Sequence, residues 1–121
     1  MFSKCTSLAL TELPPELTEI QNYAFYKCSS LKLASLPRKL KIIDHAAFYG
    51  CTSLELTELP AGLKKIGTDA FHGCTSLALT SLPPELTNIG DGAFFGCNLT
   101  RFNVAVVRQL KERFPNALHI V

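Results

Sequence analysis

Residues 66–74 read Ile-Gly-Thr-Asp-Ala-Phe-His-Gly-Cys, and residues 89–97 read Ile-Gly-Asp-Gly-Ala-Phe-Phe-Gly-Cys. These two stretches lie 23 residues apart, and the same step separates all the cysteines of the chain. The cysteines are Cys5, Cys28, Cys51, Cys74 and Cys97. Leucines, isoleucines and an Ala-Phe pair keep this step, so that one unit reads C-x-x-L-x-L-x-x-L-P-x-x-L-x-x-I-x-x-x-A-F-x-x. A fixed period of this length indicates a solenoid of stacked units.

The period also predicts the core and the strands. A unit of 23 residues is too small to enclose its own apolar side chains, whereas stacked units place each apolar residue against its counterpart in the next coil. We therefore predict an α/β repeat fold with four coils over residues 1–97 and short parallel strands. The expected strands are the segment from Leu56 to Pro60 and its counterparts, because proline ends a strand ladder. A second extended piece runs from Leu63 to Ile66, and Ala-Phe-x-Gly-Cys is expected to form a short helical or 3₁₀ turn.

The unit resembles the BspA-type leucine-rich repeat, whose pattern ends in I-G-x-x-A-F-x-G-C. Residues 66–74 and 89–97 match this ending in full, and the resemblance extends from about Phe2 to Cys97. It implies a right-handed leucine-rich-repeat solenoid. It also implies a function in protein recognition, of the class in which a surface protein attaches to host or matrix proteins.

One apolar column departs from the family pattern. The family strand usually reads L-x-x-I-x-I-P, whereas this chain has its middle leucine one place earlier, at Leu10, Leu33, Leu56 and Leu79. Small residues stand where the family has isoleucine, at Thr11, Ala34, Thr57 and Thr80. Strict alternation along a strand points these small residues inward and the leucines outward. Either the backbone has a local kink, or a stripe of leucines is exposed.

The two ends of the chain differ. Residues 1–5 align with the tail of a unit, so the array starts in mid-repeat, as expected of a segment cut from a longer array or covered by a neighbour. Residues 98–121 break the pattern and predict a C-terminal cap, with a helix over about 104–114 and a strand over about 117–121, within a single domain. A membrane-surface helix is the alternative, because the helix carries Arg108, Lys111 and Arg113. A cap is favoured, since a terminal helix needs one apolar face.

Composition restricts the classes of partner. A formal net charge of +2 does not indicate a nucleic-acid partner, and no apolar run approaches the roughly 18–20 residues that cross a bilayer. Residues 1–5 carry no secretory signal pattern, so the sequence assigns no compartment. Secretion or a cell-surface location is expected only if the chain was cut from a longer protein.

Groups that carry chemistry are few. The cysteines are expected to be buried small apolar residues, because a row with one sulfur per coil does not gather four ligands around a metal. His45, His72 and His119 occupy different places in the unit, and no catalytic grouping has a consistent spacing. We predict no catalytic residues, metal or cofactor. A basic cluster is either a solvated face or an anion contact; it comprises Arg38, Lys39, Lys41, Lys64 and Lys65.

The sequence thus predicts a non-catalytic, protein-binding repeat module. The expected partner-binding residues vary between units beside the predicted strands, whereas the apolar columns stay constant. They form one row at Ala9, Lys32, Glu55 and Ala78, and a second row at Glu12, Ser35, Glu58 and Ser81. The alternative is a structural role, in which the chain associates end to end through its uncapped start.

Overall fold

The computed structural model describes residues 11–119. Four two-residue strands form one parallel sheet in chain order: β1 Glu19–Ile20, β2 Ile42–Ile43, β3 Lys65–Ile66 and β4 Asn88–Ile89. Each residue pairs with the residue 23 positions further along, as Ile20 does with Ile43. The coil period therefore equals the sequence period, and the chain is a solenoid of stacked coils.

Hydrogen bonds join neighbouring coils on two sides and run in opposite directions. On the strand side each coil donates to the preceding one, as in the 2.7 Å bond from the Gly67 N–H to the Ile43 carbonyl. On the turn side each coil donates to the following one, as in the 2.8 Å bond from the Phe48 N–H to the Ala70 carbonyl. Backbone N–H and C=O groups on both sides of a coil are thus hydrogen-bonded to the neighbouring coils, although each strand has only two residues.

The strands do not lie where the sequence predicts them. Residues 56–60 and their counterparts in the described coils hold no strand, and the sheet forms instead at the second extended piece. The first segment makes only scattered bonds between coils, such as the 2.9 Å bond from the Thr80 N–H to the Thr57 carbonyl. Proline has no N–H to add to the ladder, and a change of side-chain direction interrupts the segment.

That change of direction is the local kink left open by the sequence. Leu33, Leu56 and Leu79 are buried, with exposures of 2%, 1% and 0%, so there is no exposed leucine stripe in the described coils. In the second coil Ala34 and Ser35 both face solvent before the next buried leucine. Two consecutive outward residues break the alternation, so that the leucine before them and the leucine after them both point into the core.

Phenylalanines form the centre of the core. Phe25, Phe48, Phe71 and Phe94 stack in a column with ring centroids 5.4–5.5 Å apart and planes within 10° of parallel. Leucine and isoleucine columns surround these rings, and no polar or charged residue is buried in the described chain. The phenylalanine and isoleucine columns are buried as the sequence predicts, and the leucine column whose direction the sequence left open is buried as well.

The cysteines add hydrogen bonds to this core. Cys28, Cys51 and Cys74 are buried and Cys97 is partly buried; Cys51, Cys74 and Cys97 are free thiols. The Sγ of Cys74 donates to the carbonyl of Phe48 one coil back, at 3.0 Å, and Cys51 and Cys97 make the same contact at 3.1 Å. A thiol in this column therefore partners a buried carbonyl as well as filling space.

The turns between strand and phenylalanine bring coils very close together. A Cβ added at Gly90 would stand 2.3 Å from the amide nitrogen of Thr68. The next turn contains i to i+3 hydrogen bonds, such as that from the Cys74 N–H to the Phe71 carbonyl at 3.1 Å. This is the short helical turn expected from Ala-Phe-x-Gly-Cys.

The C-terminal segment closes the last coil. A 3₁₀ helix at Leu99–Arg101 precedes helix α1 at Val104–Arg113, whose first turn is capped by the Asn103 side chain. Phe102 packs edge-on against Phe94 at 6.0 Å.

The predicted strand over 117–121 is wrong where it can be described, because Pro115–Leu118 is a 3₁₀ helix; residues 120 and 121 lie outside the described residues. The carbonyls of Asn116 and Ala117 accept the N–H groups of Gly92 and Phe94, at 2.9 and 2.8 Å. These are the bonds that another coil would make on the turn side, and a short 3₁₀ turn supplies them.

Candidate binding surfaces

The two rows predicted to bind a partner lie on the surface. Ala9 lies outside the described residues, and the remaining members of the first row are Lys32 and Glu55, both exposed, and Ala78, which is half-buried. The second row is exposed throughout, at Glu12, Ser35, Glu58 and Ser81. Because the coils stack in register, equivalent residues of each row lie on successive coils, and the two rows flank the exposed column of Ala34, Thr57 and Thr80.

A shallow depression joins the second row to part of the basic cluster. It has a volume of about 190 Å³, and its lining includes Glu12, Ser35, Arg38 and Lys39. Lys39 forms an ion pair there with Glu16, and both side chains are largely exposed. An exposed pair contributes little to stability, so the depression is a solvated surface of mixed charge.

The other lysines of the basic cluster lie along the strands. The N–H of Lys64 donates to the carbonyl of Lys41 at 2.9 Å, which makes these residues neighbours on adjacent coils, as the repeat predicts. Within residues 11–119, neither side chain has a carboxylate within ion-pair distance. The anion contact stays a prediction.

A polar depression lies where β2 and β3 meet the following turns. Its volume is about 450 Å³, and Asn22, Asp44, His45 and Asn88 are among its lining residues. Beside it, a hydrogen bond with the Asp44 carboxyl and repulsion by its charge raise the pKa of Glu19, while Lys65 acts in the opposite direction.

A column of aromatic rings on the surface was not predicted from the sequence. Four rings follow one another along the coils immediately after the buried phenylalanines, with successive planes 30°, 20° and 52° apart: Tyr26, Tyr49, His72 and Phe95. Their successive centroids are 5.0, 4.4 and 5.3 Å apart. Tyr23 packs edge-on against Tyr26 at 5.4 Å. We call these five residues the tyrosine surface.

Polar contacts fix two members of the tyrosine surface. The hydroxyl of Tyr23 lies 2.9 Å from Nε2 of His45, and Nδ1 of His72 lies 3.3 Å from Oδ1 of Asp69. The residue type differs between coils, so this column is not visible as a repeated amino acid. A planar ring nevertheless follows each Ala-Phe pair in all four units.

Groups of metal ligands and long apolar helices are absent from the part of the chain that the structure describes. Across residues 11–119 no three His, Cys, Asp or Glu side chains are grouped so as to hold a metal ion. In the same part of the chain, no helix has the length and apolar character needed to cross a membrane. The surfaces of the described coils carry exposed charges, rings and hydroxyls.

Comparison with known families gives one extensive match. A family model described as a BspA type leucine-rich repeat region (6 copies) matches residues 1–114. The match includes all four strand-bearing coils and α1. A comparison with curated proteins gave no match.

Two solved structures are similar to this chain. A leucine-rich repeat protein from Bacteroides ovatus ATCC 8483 is 35% identical with a TM-score of 0.69, over 75% of this chain and 24% of that longer protein. The T. pallidum leucine-rich repeat protein is 24% identical with a TM-score of 0.44, over 84% of this chain and 81% of that protein. The chain thus spans about a quarter of the Bacteroides protein.

Proposed function

Because the chain belongs to the BspA-type leucine-rich repeat family, we propose that it is a non-catalytic module that binds another protein through the two exposed rows. The rows comprise Ala9, Lys32, Glu55 and Ala78, and Glu12, Ser35, Glu58 and Ser81. On this proposal the chain is a segment of a larger surface or adhesion protein. Its attachment to a partner needs no cofactor.

One observation carries the proposal. Along one short segment of each coil the inward residues are leucine in every unit, whereas the outward residues change from Lys32 to Glu55 to Ala78. The inward side chains hold the coils together, and the outward ones are free to differ without loss of packing. A constant scaffold with a changing charged surface suits recognition of one particular protein surface.

Charge reversal on these rows tests the proposal. We expect a variant with Glu55→Lys and Glu58→Lys to bind the partner at least roughly tenfold more weakly, because like charges across an interface cost several kcal/mol. The measurement is the affinity for a partner captured by the wild-type chain, determined by surface plasmon resonance. Glu12→Lys added to this variant should weaken binding further.

The matched control reverses two exposed carboxylates that belong to neither row, with Glu85→Lys and Glu112→Lys. It makes the same change in net charge, and its affinity should stay within about twofold of wild type, since salt screens charges that do not face the partner. Equal loss in both variants, or no loss in either, would reject these rows as the binding face.

A structural role is the second candidate. An apolar depression of about 330 Å³ lies at the first described coil, and its lining includes Leu13, Leu17, Ile20 and Ala24. Apolar groups at the end of a stack suit contact with a further coil. On this alternative the mass measured by light scattering rises with protein concentration, and Leu17→Lys prevents the rise. A constant monomer mass at all concentrations contradicts it.

A further inference from the structure

We propose that the tyrosine surface binds a proline-rich segment of a partner protein, held in the polyproline II conformation, with prolines three residues apart and an acidic residue at one end. This inference rests on the proposed function, because it also requires a protein partner. It concerns a different surface from the two rows and names the chemistry of the segment recognised.

All the tyrosines of the chain lie on this surface. They are Tyr23, Tyr26 and Tyr49, and they make up the complete tyrosine content of the 121 residues. Tyr23 is 41% exposed, Phe95 is 37% exposed, and the rings between them are half-buried. Tyrosine is enriched at protein interfaces because it offers a large rigid ring and a hydroxyl at little entropic cost. Its confinement to one surface of a solenoid indicates an interface there.

The hydroxyls suit a ligand with unpaired carbonyls. Those of Tyr26 and Tyr49 make no hydrogen bond to the protein within residues 11–119, whereas that of Tyr23 is held by His45. A polyproline II segment has no internal hydrogen bonds, so its carbonyls need donors when it docks. Domains that recognise such segments dock them against aromatic side chains, and a tyrosine hydroxyl beside the ring can donate to a carbonyl of the segment.

The spacing selects this conformation over others. Coils repeat about every 4.8 Å, so every second ring of the column recurs after about 9.6 Å. One turn of polyproline II spans three residues and about 9.3 Å, which brings every third residue to every second ring. Residues on one face of a β-strand recur after about 6.7 Å, a spacing that matches neither one coil step nor two, so they do not align with the rings. An α-helix has a turn of about 5.4 Å and already pairs its own carbonyls, which leaves the hydroxyls without acceptors.

Backbone strain and charge place the acidic end. Lys27 has φ of 58°, in the left-handed region where the three following coils place glycine, whereas the φ of 59° at Tyr23 is a feature of the repeat that Ala46 and Asp69 share. A side chain held there despite its cost is typical of functional sites. The Nζ of Lys27 lies 5.4 Å from the centre of the Tyr26 ring, and no carboxylate within residues 11–119 pairs with it. An acidic residue beside the prolines is complementary to this free cation.

The first experiment varies the ligand. The probe is a labelled peptide of about twelve residues with proline at every third position and two glutamates at one end, titrated with the full chain. We expect saturable binding by fluorescence anisotropy. A peptide of the same composition with irregular proline spacing should bind at least roughly tenfold more weakly, and so should the regular peptide with lysines in place of the glutamates. No saturation by about 1 mM, or equal binding of the regular and irregular peptides, overturns the proposal.

The second experiment varies the protein. Tyr49→Phe keeps the stacked ring and removes only the hydroxyl, so folding is preserved and affinity for the regular peptide should fall roughly three- to tenfold. Lys64→Ala, away from this surface, is the control and should leave affinity unchanged. An unchanged affinity in Tyr49→Phe overturns the proposal. If peptide binding fails while the variant with Glu55→Lys and Glu58→Lys still binds a protein partner more weakly than wild type, the tyrosine surface is rejected and the proposed function stands.

Discussion

Phe71→Ala is expected to lower the free energy of unfolding by about 3–5 kcal/mol, which is a large share of the roughly 5–15 kcal/mol that stabilises a domain of this size. Phe71 is fully buried and lies between the rings of Phe48 and Phe94, at 5.4 and 5.5 Å. Truncation removes both stacking contacts and leaves a cavity in the middle of the column. Collapse of the neighbouring coils into that cavity is opposed by their backbone hydrogen bonds.

Urea unfolding followed by circular dichroism measures this loss, and Phe95→Ala is the matched control. Phe95 belongs to the same coil and also contacts a neighbouring ring, but it is 37% exposed, so its truncation should cost at most about 1.5 kcal/mol. The slope of the transition must be compared as well, since a repeat protein can lose cooperativity when one interface is weakened. A loss below about 1 kcal/mol for Phe71→Ala would contradict the buried position of this ring.

The columns of the core could be predicted because a solenoid converts sequence period directly into contact. A residue and its counterpart 23 positions later become neighbours through one coil step, so the column Phe25 to Phe94 follows from spacing alone. The cap helix Val104–Arg113 follows from a different signal, an apolar face at helical spacing after an Asn cap. In both cases the contacts that determine the structure join residues at a constant separation in the sequence, 23 residues in the columns and one helical turn in the cap.

The strands and the cap end could not be placed in the same way. The sheet forms at the extended piece whose N–H groups meet carbonyls of the neighbouring coil, and the apolar pattern does not show whether that is residues 56–60 or the next piece. The pattern also does not show that two successive residues point outward. The 3₁₀ helix Pro115–Leu118 likewise depends on the N–H groups of Gly92 and Phe94, which are distant in sequence. The tyrosine surface was not predicted for a third reason: its residues all have planar rings but differ in residue type from coil to coil.

The difference between buried and exposed columns bears on how such a chain acquires specificity. A buried position must match its counterparts in size because every coil rests on the next, and the phenylalanine column shows no variation. The neighbouring column of rings is less enclosed and tolerates a change of residue, since half-buried Tyr49 and His72 lie 4.4 Å apart and Tyr26 and Tyr49 lie 5.0 Å apart. Ring chemistry can therefore change from coil to coil at little cost in stability, which allows a binding surface to be altered one coil at a time.

Raising the pH above about 9 is expected to unfold the chain progressively, because its buried thiols cannot ionise in the native state. Burial raises the pKa of Cys51 from 9.0 to about 12, with a further contribution from neighbouring Cys28. Burial likewise raises the pKa of Cys97 from 9.0 to about 12, and that of Cys74 well above 9.0. In the unfolded chain these thiols lose their protons near their usual pKa, whereas in the folded chain they keep them.

The sign and the size of the effect follow from proton linkage. The contribution of these thiols to stability is fully present below about pH 9 and is lost as the pH rises from about 9 towards about 12, at roughly 1.4 kcal/mol per pH unit for each thiol. Cys51 and Cys97 together should therefore cost about 5 kcal/mol at pH 11, enough to unfold a domain of ordinary stability. Urea midpoints measured between pH 7 and pH 11 report this loss.

The double variant Cys51→Ser, Cys97→Ser separates the thiols from other groups that titrate in the same range. Each serine keeps a donor for the carbonyl that Sγ contacts, at Phe25 and Phe71, but has no proton to lose below pH 12. Both proteins carry the same lysines and tyrosines, so the difference in slope belongs to the two cysteines. We expect the variant to be less stable at neutral pH, where a smaller and more polar side chain replaces the thiol, and to lose stability more slowly above pH 9. Parallel profiles for the two proteins would show that these thiols already ionise freely in the folded chain, and therefore that the sulfur column is open to water.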